Sequence, residues 1–118
     1  MYKEIVQVKS LEEIKAILSE ILEDNYFSDR ELKSVEYKNK IKSLGARYLI
    51  KRSILNHLKL DNKYLDIEIK NEDDGKPDLN YTGEVLKKAV EMNIISFKIS
   101  ISHSGNYIST LVVVEQDV

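Results

Sequence analysis

The sequence predicts an α+β domain, an antiparallel sheet covered by helices on one side, and three observations predict it. Near the end of the chain, Phe97, Ile99 and Ile101 alternate with Lys98, Ser100 and Ser102, the period of a half-buried strand. Ser104-Gly105-Asn106 follows as a turn and a β-branched run to Glu115 as a second strand, so the two read as an antiparallel pair. In the middle, Ile41, Leu44, Tyr48, Leu55 and Leu58 form an apolar stripe on a long helix from Lys40 to Leu58. Throughout, helices and strands interleave without the βαβ rhythm of a doubly wound sheet.

The elements follow in order. Glu4 to Val8 is a short first strand. Ser10-Leu11-Glu12-Glu13 is a capping box, and the helix it starts carries Leu11, Ile14, Ile17, Leu18 and Ile21 on one face, ending before Asp24-Asn25. Ser28-Asp29-Arg30-Glu31 is a second capping box, with Phe27 as a staple residue against Val35, and opens a short helix from Asp29 to about Tyr37. On the central helix, Gly45 lets another element approach closely. Asp61-Asn62-Lys63 is a turn, and Tyr64 to Ile69 alternates as a strand. Asn71 to Pro77 is a polar loop, and Leu79-Asn80-Tyr81 a short edge strand. Thr82 caps a helix from Gly83 to about Glu91, with Val85, Leu86 and Ala89 inward and Asn93 at its C-terminal end.

A length of 118 residues suits one domain over 1–118. The absence of cysteine excludes a disulfide framework, thiol chemistry and a cysteine zinc site. No apolar run approaches the length of a membrane span. Met1 to Val6 reads as a strand and not a signal peptide, which places the protein in the cytoplasm. Residues 30–59 carry nine basic and two acidic side chains between acidic flanks. Such a block faces phosphate, nucleic acid or an acidic protein, or is a solvated helix face neutralised by its neighbours. Nucleic acid is disfavoured: there is no aromatic-rich RNA-binding strand, no recognition-helix signature and no net basic charge.

Several residues carry possible chemistry. His103 sits at the mouth of the turn, as a surface histidine or as part of a site. Lys51 falls on the apolar stripe between Tyr48 and Leu55; it either snorkels or points at something anionic beside a cleft. Arg47 and Lys51, and Arg52 and Asn56, are each four apart and share a helix face.

Four segments, in order over nearly the full length, resemble the small, acyl-carrier-protein-synthase type of 4′-phosphopantetheinyl transferase. Phe27-Ser28 with Glu31 resembles that family's Phe-Thr/Ser-x-x-Glu segment. Leu44-Gly45-Ala46-Arg47-Tyr48 with Lys51 resembles its Leu-Ala-x-Arg-Phe-x-x-Lys-Glu-Ala helix. Ile67-Glu68-Ile69, Asn71 and Gly75-Lys76-Pro77 resemble its Ile-Glu-Val, Asn and Gly-Lys-Pro segment. Ile99 to Ser104 with Tyr107 resembles its Ser-Ile-Ser-His-Ser/Thr strand. The resemblance implies a twisted antiparallel sheet packed on a long central helix. It implies transfer of the phosphopantetheine arm of coenzyme A to a serine of an acyl carrier protein, releasing 3′,5′-ADP, in fatty-acid and lipid biosynthesis. It also implies a homotrimer with active sites between subunits.

The resemblance further assigns roles. His103, Arg47, Lys76 and Asn56 fall in the coenzyme A site, and Lys51, Arg52 and Glu4 at the chemistry. The family holds Mg2+ with an aspartate of the first strand and a glutamate that follows the helix lysine. Here the strand position is read as Glu4, the metal-ligand candidate, and the helix position is Arg52, which cannot ligate a cation. A second lysine one turn on aligns with Asn56. Three readings follow: a working transferase in which Arg52 pairs with the pyrophosphate, a non-catalytic coenzyme A or nucleotide binder, and a partner subunit of the same fold. The family's first helix offers basic residues to an acidic carrier. Here residues 9–24 hold two lysines against five carboxylates, so docking is expected to pass to Arg30, Lys33, Lys38, Lys40 and Lys42.

Overall fold

The computed structural model describes residues 1–35, 39–71 and 76–117. The chain runs β1 (Tyr2–Ser10), α1 (Leu11–Ser19), α2 (Glu23–Tyr26), α3 (Asp29–Ser34), α4 (Lys40–Leu58), a 3-10 turn (Tyr64–Asp66), β2 (Ile67–Asn71), β3 (Pro77–Tyr81), α5 (Gly83–Glu91), β4 (Ile94–Ser104) and β5 (Tyr107–Gln116). The antiparallel strands form two sheets: β1-β5-β4, and β2-β3. The expected α+β architecture stands, with α4 as its centre.

The terminal hairpin forms as its alternation predicts. Ser104 pairs with Tyr107 across a two-residue turn in which Gly105 has φ +57°, a conformation that glycine adopts without strain. The turn is tied to α1, because Leu11 N–H donates to Asn106 O at 2.7 Å. β5 also pairs with β1 throughout, from Tyr2 opposite Glu115 to Ser10 opposite Tyr107. β1 is therefore longer than its apolar core suggested, because pairing with β5 carries it across polar residues at both ends.

α4 has the expected bounds but not the expected face. Leu44 to Arg47, Leu49 to Lys51 and Ser53 to Leu55 are all buried, whereas Tyr48 is half-buried and Ile41 is exposed. Such a helix is covered over most of its circumference, with Arg52 and Asn56 left on an exposed face. It packs on β1 and β5 on one side and on α1 on another. Ile50, Ile54, Leu55 and Leu58 share the main core with Ile67, Ile69, Val85, Ala89, Phe97, Val112 and Val114. Gly45 permits the contact with α1: a Cβ there would lie 2.5 Å from Ile14 Cγ2. The helix ends where Lys59 turns left-handed and Leu60 N–H reaches back to Leu55 O at 3.0 Å.

Both capping boxes form: Ser10 with Glu13, and Ser28 with Glu31. α3 closes at Ser34; the expected extension to Tyr37 falls outside the described residues. Four local expectations are corrected. The first helix, expected to run to just before Asp24, ends at Ser19, and Glu23–Tyr26 forms a short helix of its own. Tyr64–Asp66 is a 3-10 turn and not strand, because Asp66 is used as a cap. Asp66 Oδ2 accepts from Glu84 N–H at 2.9 Å, and Thr82 makes no side-chain cap bond. On α5, Val85 and Ala89 are buried as expected, but Leu86 is exposed.

Candidate active site

The most buried charges of the chain meet between α3, α4 and β2. Glu31 reaches this point because the second capping box sets its backbone, with Ser28 N–H donating to Oε1 at 3.0 Å. Lys51 Nζ donates to the same oxygen at 2.6 Å and to Tyr26 O at 2.7 Å, and lies 5.3 Å from the centre of the Phe27 ring. Ile69 N–H donates to Glu31 Oε2 at 3.2 Å. Arg47 Nε is 4.0 Å from that oxygen and donates to Ile69 O at 3.0 Å. Its Nη1 donates to Ser43 O, while Nη2 is buried without a partner among the described residues. Burial pushes the Lys51 ammonium down from its ordinary range, and the Glu31 charge opposes that shift. Burial lowers Arg47 as well, against the pull of Glu31.

Two residues that the resemblance assigned to the site are held in these contacts. Lys51 was placed at the chemistry and Arg47 in the coenzyme A site, but the side chains are 0% and 3% exposed. The anion that Lys51 points at is Glu31, inside the same chain. Both basic groups hold α3 and β2 against α4.

A groove of about 360 Å³ runs between β1 and α4, walled by Lys3 to Gln7 and by Ser53, Asn56 and His57. Strand alternation decides which side chains face it. Gln7 Nε2 donates to Ser53 Oγ at 3.0 Å, so Gln7 faces α4, and Lys3 and Ile5 share its side of the strand. Glu4 lies on the opposite side with Val6 and Val8, all exposed. Gln7 is thus the residue of this strand that bonds to α4, while Glu4 borders the groove from the other side of the strand. Sequence reasoning missed Gln7 and His57; the available signal was parity, since Gln7 is two residues past Ile5. His57 Nε2 is buried without a partner among the described residues, and burial, then the Lys3 charge, lowers its pKa.

Asn56 lines this groove, and Arg52 sits one turn earlier on the same exposed face of α4. Arg52 Nη1 donates to Tyr64 OH at 3.3 Å. The Tyr64 ring in turn stacks on Tyr48, with centroids 5.9 Å apart and planes 8° from parallel. This contact steadies one edge of the guanidinium and leaves further N–H donors for an anion. Lys76 is exposed just before β3, and His103 is exposed at the turn end of β4. Neither lines the β1–α4 groove. Within one chain Arg52 and Asn56, Lys76, and His103 thus stand in three separate places, apart from the buried Arg47 and Lys51 and from Glu4.

The groove does not suit a divalent cation. Magnesium takes oxygen ligands, with carboxylates and phosphates supplying the charge. The side chains facing the groove are amide, hydroxyl, imidazole and ammonium. Among the described residues, no three His, Cys, Asp or Glu side chains cluster as a metal site. No helix is long and apolar enough to cross a membrane, among the described residues.

No family model matches the chain. It is 31% identical over 115 residues to a holo-[acyl-carrier-protein] synthase of Streptomyces avermitilis, covering 93% of this chain and 94% of the relative. It is 28% identical over 114 residues to one from Dehalococcoides mccartyi, covering 95% and 94%. Among solved structures it is similar to holo-ACP-synthase from Plasmodium yoelii, with a TM-score of 0.77 and 24% identity over 100% of this chain and 99% of that one. It is also similar to the Helicobacter pylori holo-[acyl-carrier-protein] synthase in complex with coenzyme A, with a TM-score of 0.74 and 21% identity over 96% and 100%. The structural likeness shows a shared fold.

Proposed function

The chain belongs to the holo-[acyl-carrier-protein] synthase family, and on that premise we propose that it moves 4′-phosphopantetheine from coenzyme A to a serine of an acyl carrier protein. The observation that carries this reading is the 31% identity to a holo-[acyl-carrier-protein] synthase over 93% of the chain. In the reaction, the carrier serine Oγ attacks the phosphorus bearing the pantetheine arm. A new P–O bond forms, the bond to the bridging oxygen breaks, and 3′,5′-ADP leaves with that oxygen. The serine proton passes to a base or to water.

The chain's own residues divide that work. Arg52, His103 and Lys76 are the basic groups proposed to hold the phosphates, each exposed, with Asn56 as a neutral hydrogen-bonding partner beside Arg52. Guanidinium suits the first role through its fork of donors. Arg47 and Lys51 act as positioning residues, through Glu31, on the elements that carry Arg52. No step is routed through magnesium, because the groove side chains do not fit it.

The homotrimer is part of the same proposal. The face of β1-β5-β4 turned away from α4 carries Val6, Val8, Leu111, Val113 and Tyr107, and no other element among the described residues packs over it. A continuous apolar face of this kind calls for a partner. Copies of the chain packed there would bring Glu4 to the boundary between subunits, and would let His103 of one copy serve a site on the next.

Intact-mass analysis of an apo acyl carrier protein after incubation with the chain and coenzyme A tests the function. The expected result is a phosphopantetheine mass gain. Coenzyme A binding without any gain on the carriers tried would favour the non-catalytic binder, and neither binding nor gain would favour the partner subunit.

A further inference from the structure

The groove between β1 and α4 is where a strand side chain and a helix side chain would share a cation. Its composition points the other way. Gln7 is already committed through its amide nitrogen to Ser53 Oγ. Lys3 and His57 both line the groove, and the Lys3 charge adds to burial in lowering the imidazole pKa. Asn56 adds a neutral amide. The one carboxylate on this stretch of wall, Glu4, projects from the other face of the strand. A divalent cation here would meet positive or neutral groups, none of which supplies the charge it needs. One turn from Asn56, Arg52 presents a fixed positive charge that needs no metal, steadied by Tyr64 and exposed on its remaining edge.

We infer that this chain holds no divalent cation between β1 and α4, and that the positive charge a bound diphosphate needs there comes from Arg52. The diphosphate half rests on the transferase reading, in which the ligand is the pyrophosphate of coenzyme A. The cation half does not. The basis is the donor chemistry of the groove: two basic and three neutral hydrogen-bonding side chains on one wall pair, with a guanidinium beside them.

Two measurements test the halves separately. In the first, Mn2+ is titrated into the wild-type chain, with and without coenzyme A, and read by electron paramagnetic resonance. The free-ion signal is expected to fall no further than coenzyme A alone accounts for. The double variant Gln7→Asp with Arg52→Glu is expected to take up manganese. One equivalent bound by the wild-type chain beyond that background overturns the cation half. In the second, coenzyme A binding to the wild-type chain is measured by calorimetry in magnesium and in excess chelator. The affinity is expected to be the same in both, and Arg52→Glu is expected to lower it roughly tenfold or more, the effect of losing charge-assisted hydrogen bonds. Arg52→Lys is expected to fall between. Loss of binding in chelator overturns the inference. No binding under either condition overturns the diphosphate half together with the transferase reading, while the manganese titration still decides the cation half.

Discussion

Glu31 Oε1 and Lys51 Nζ lie 2.6 Å apart with neither side chain exposed to solvent. The pair bridges α3 to α4, and through Ile69 N–H it also holds the middle of β2. Removing one member leaves the other charge buried, which costs about 3–5 kcal/mol, whereas replacing both with apolar groups of similar volume is often neutral. Glu31→Gln is therefore expected to destabilise the chain strongly, since it strands both Lys51 and Arg47. Glu31→Leu with Lys51→Met is expected to cost much less than the sum of the single changes. Urea denaturation of the four proteins reads this directly; additive effects would show that the two side chains do not act as a pair.

Asp66, and not Thr82, caps α5. Its carboxylate accepts from Glu84 N–H at 2.9 Å, and Gly83 has φ +58° with the carboxyl group 2.9 Å from where a Cβ would be. Asp66→Ala is expected to lower stability by about 0.5–2 kcal/mol, and Thr82→Ala by markedly less. Equal losses in thermal unfolding would contradict this assignment.

What the sequence could disclose divides along a physical line. The bounds of α4, both capping boxes, the Gly105 turn and the close approach at Gly45 were legible because each depends on residues a few positions apart. The partner of Lys51 was not, because Glu31 is twenty residues away and only the packing of α3 brings it there. Gln7 was missed for a similar reason. Its contact depends on which face of β1 meets α4, and that is set by pairing with β5 at the other end of the chain. Asp66 was read as strand because alternation is a local signal and the demand of α5 for a cap is not. His103 was placed correctly beside the turn, at the end of β4, but no site assembles around it among the described residues of the single chain.

Acid should weaken the fold through His57. Burial, and then the Lys3 charge, hold its pKa below the ordinary value of 6.5. Between those two values the unfolded chain binds more protons than the folded one, so stability falls as pH drops below about 6.5 and levels once the folded pKa is passed. Glu13 contributes in the same direction at lower pH, since its backbone and side-chain bonds to Ser10 lower its pKa from 4.5. The expected result is a loss of midpoint in urea from neutral pH toward pH 6 and below. His57→Gln should flatten that first portion. A slope unchanged in the variant would assign it elsewhere.

The uncovered sheet face makes a prediction about assembly. Val6 is 61% exposed and pairs with Leu111 at its centre. Val6→Lys adds a charge where it costs the single chain little, but it would be desolvated between copies. It is expected to shift the protein to a smaller species in analytical ultracentrifugation while leaving the circular dichroism unchanged. An unaltered sedimentation coefficient would remove this face from the proposed trimer contact.

Docking of the carrier follows from which basic residues remain available. The exposed surface of α1 offers Glu12 and Glu13 with Lys15, an unpromising face for an acidic partner. Of the five basic residues expected to replace it, Lys40 pairs with Glu23 at 3.3 Å and Arg30 approaches Glu68 at 4.0 Å. Lys38 lies outside the described residues. Lys33, at the end of α3, and Lys42, in the first turn of α4, make no ion pair among the described residues. They are the side chains best placed to meet a carboxylate from outside. Lys33→Glu with Lys42→Glu is expected to weaken carrier binding and flatten its dependence on salt, with coenzyme A affinity unchanged. Because the contribution of exposed charges is screened over about 10 Å at 0.1 M salt, the difference should be largest at low ionic strength. Carrier affinity that is identical in the variant and the wild type at low salt would move the docking surface away from α3 and α4.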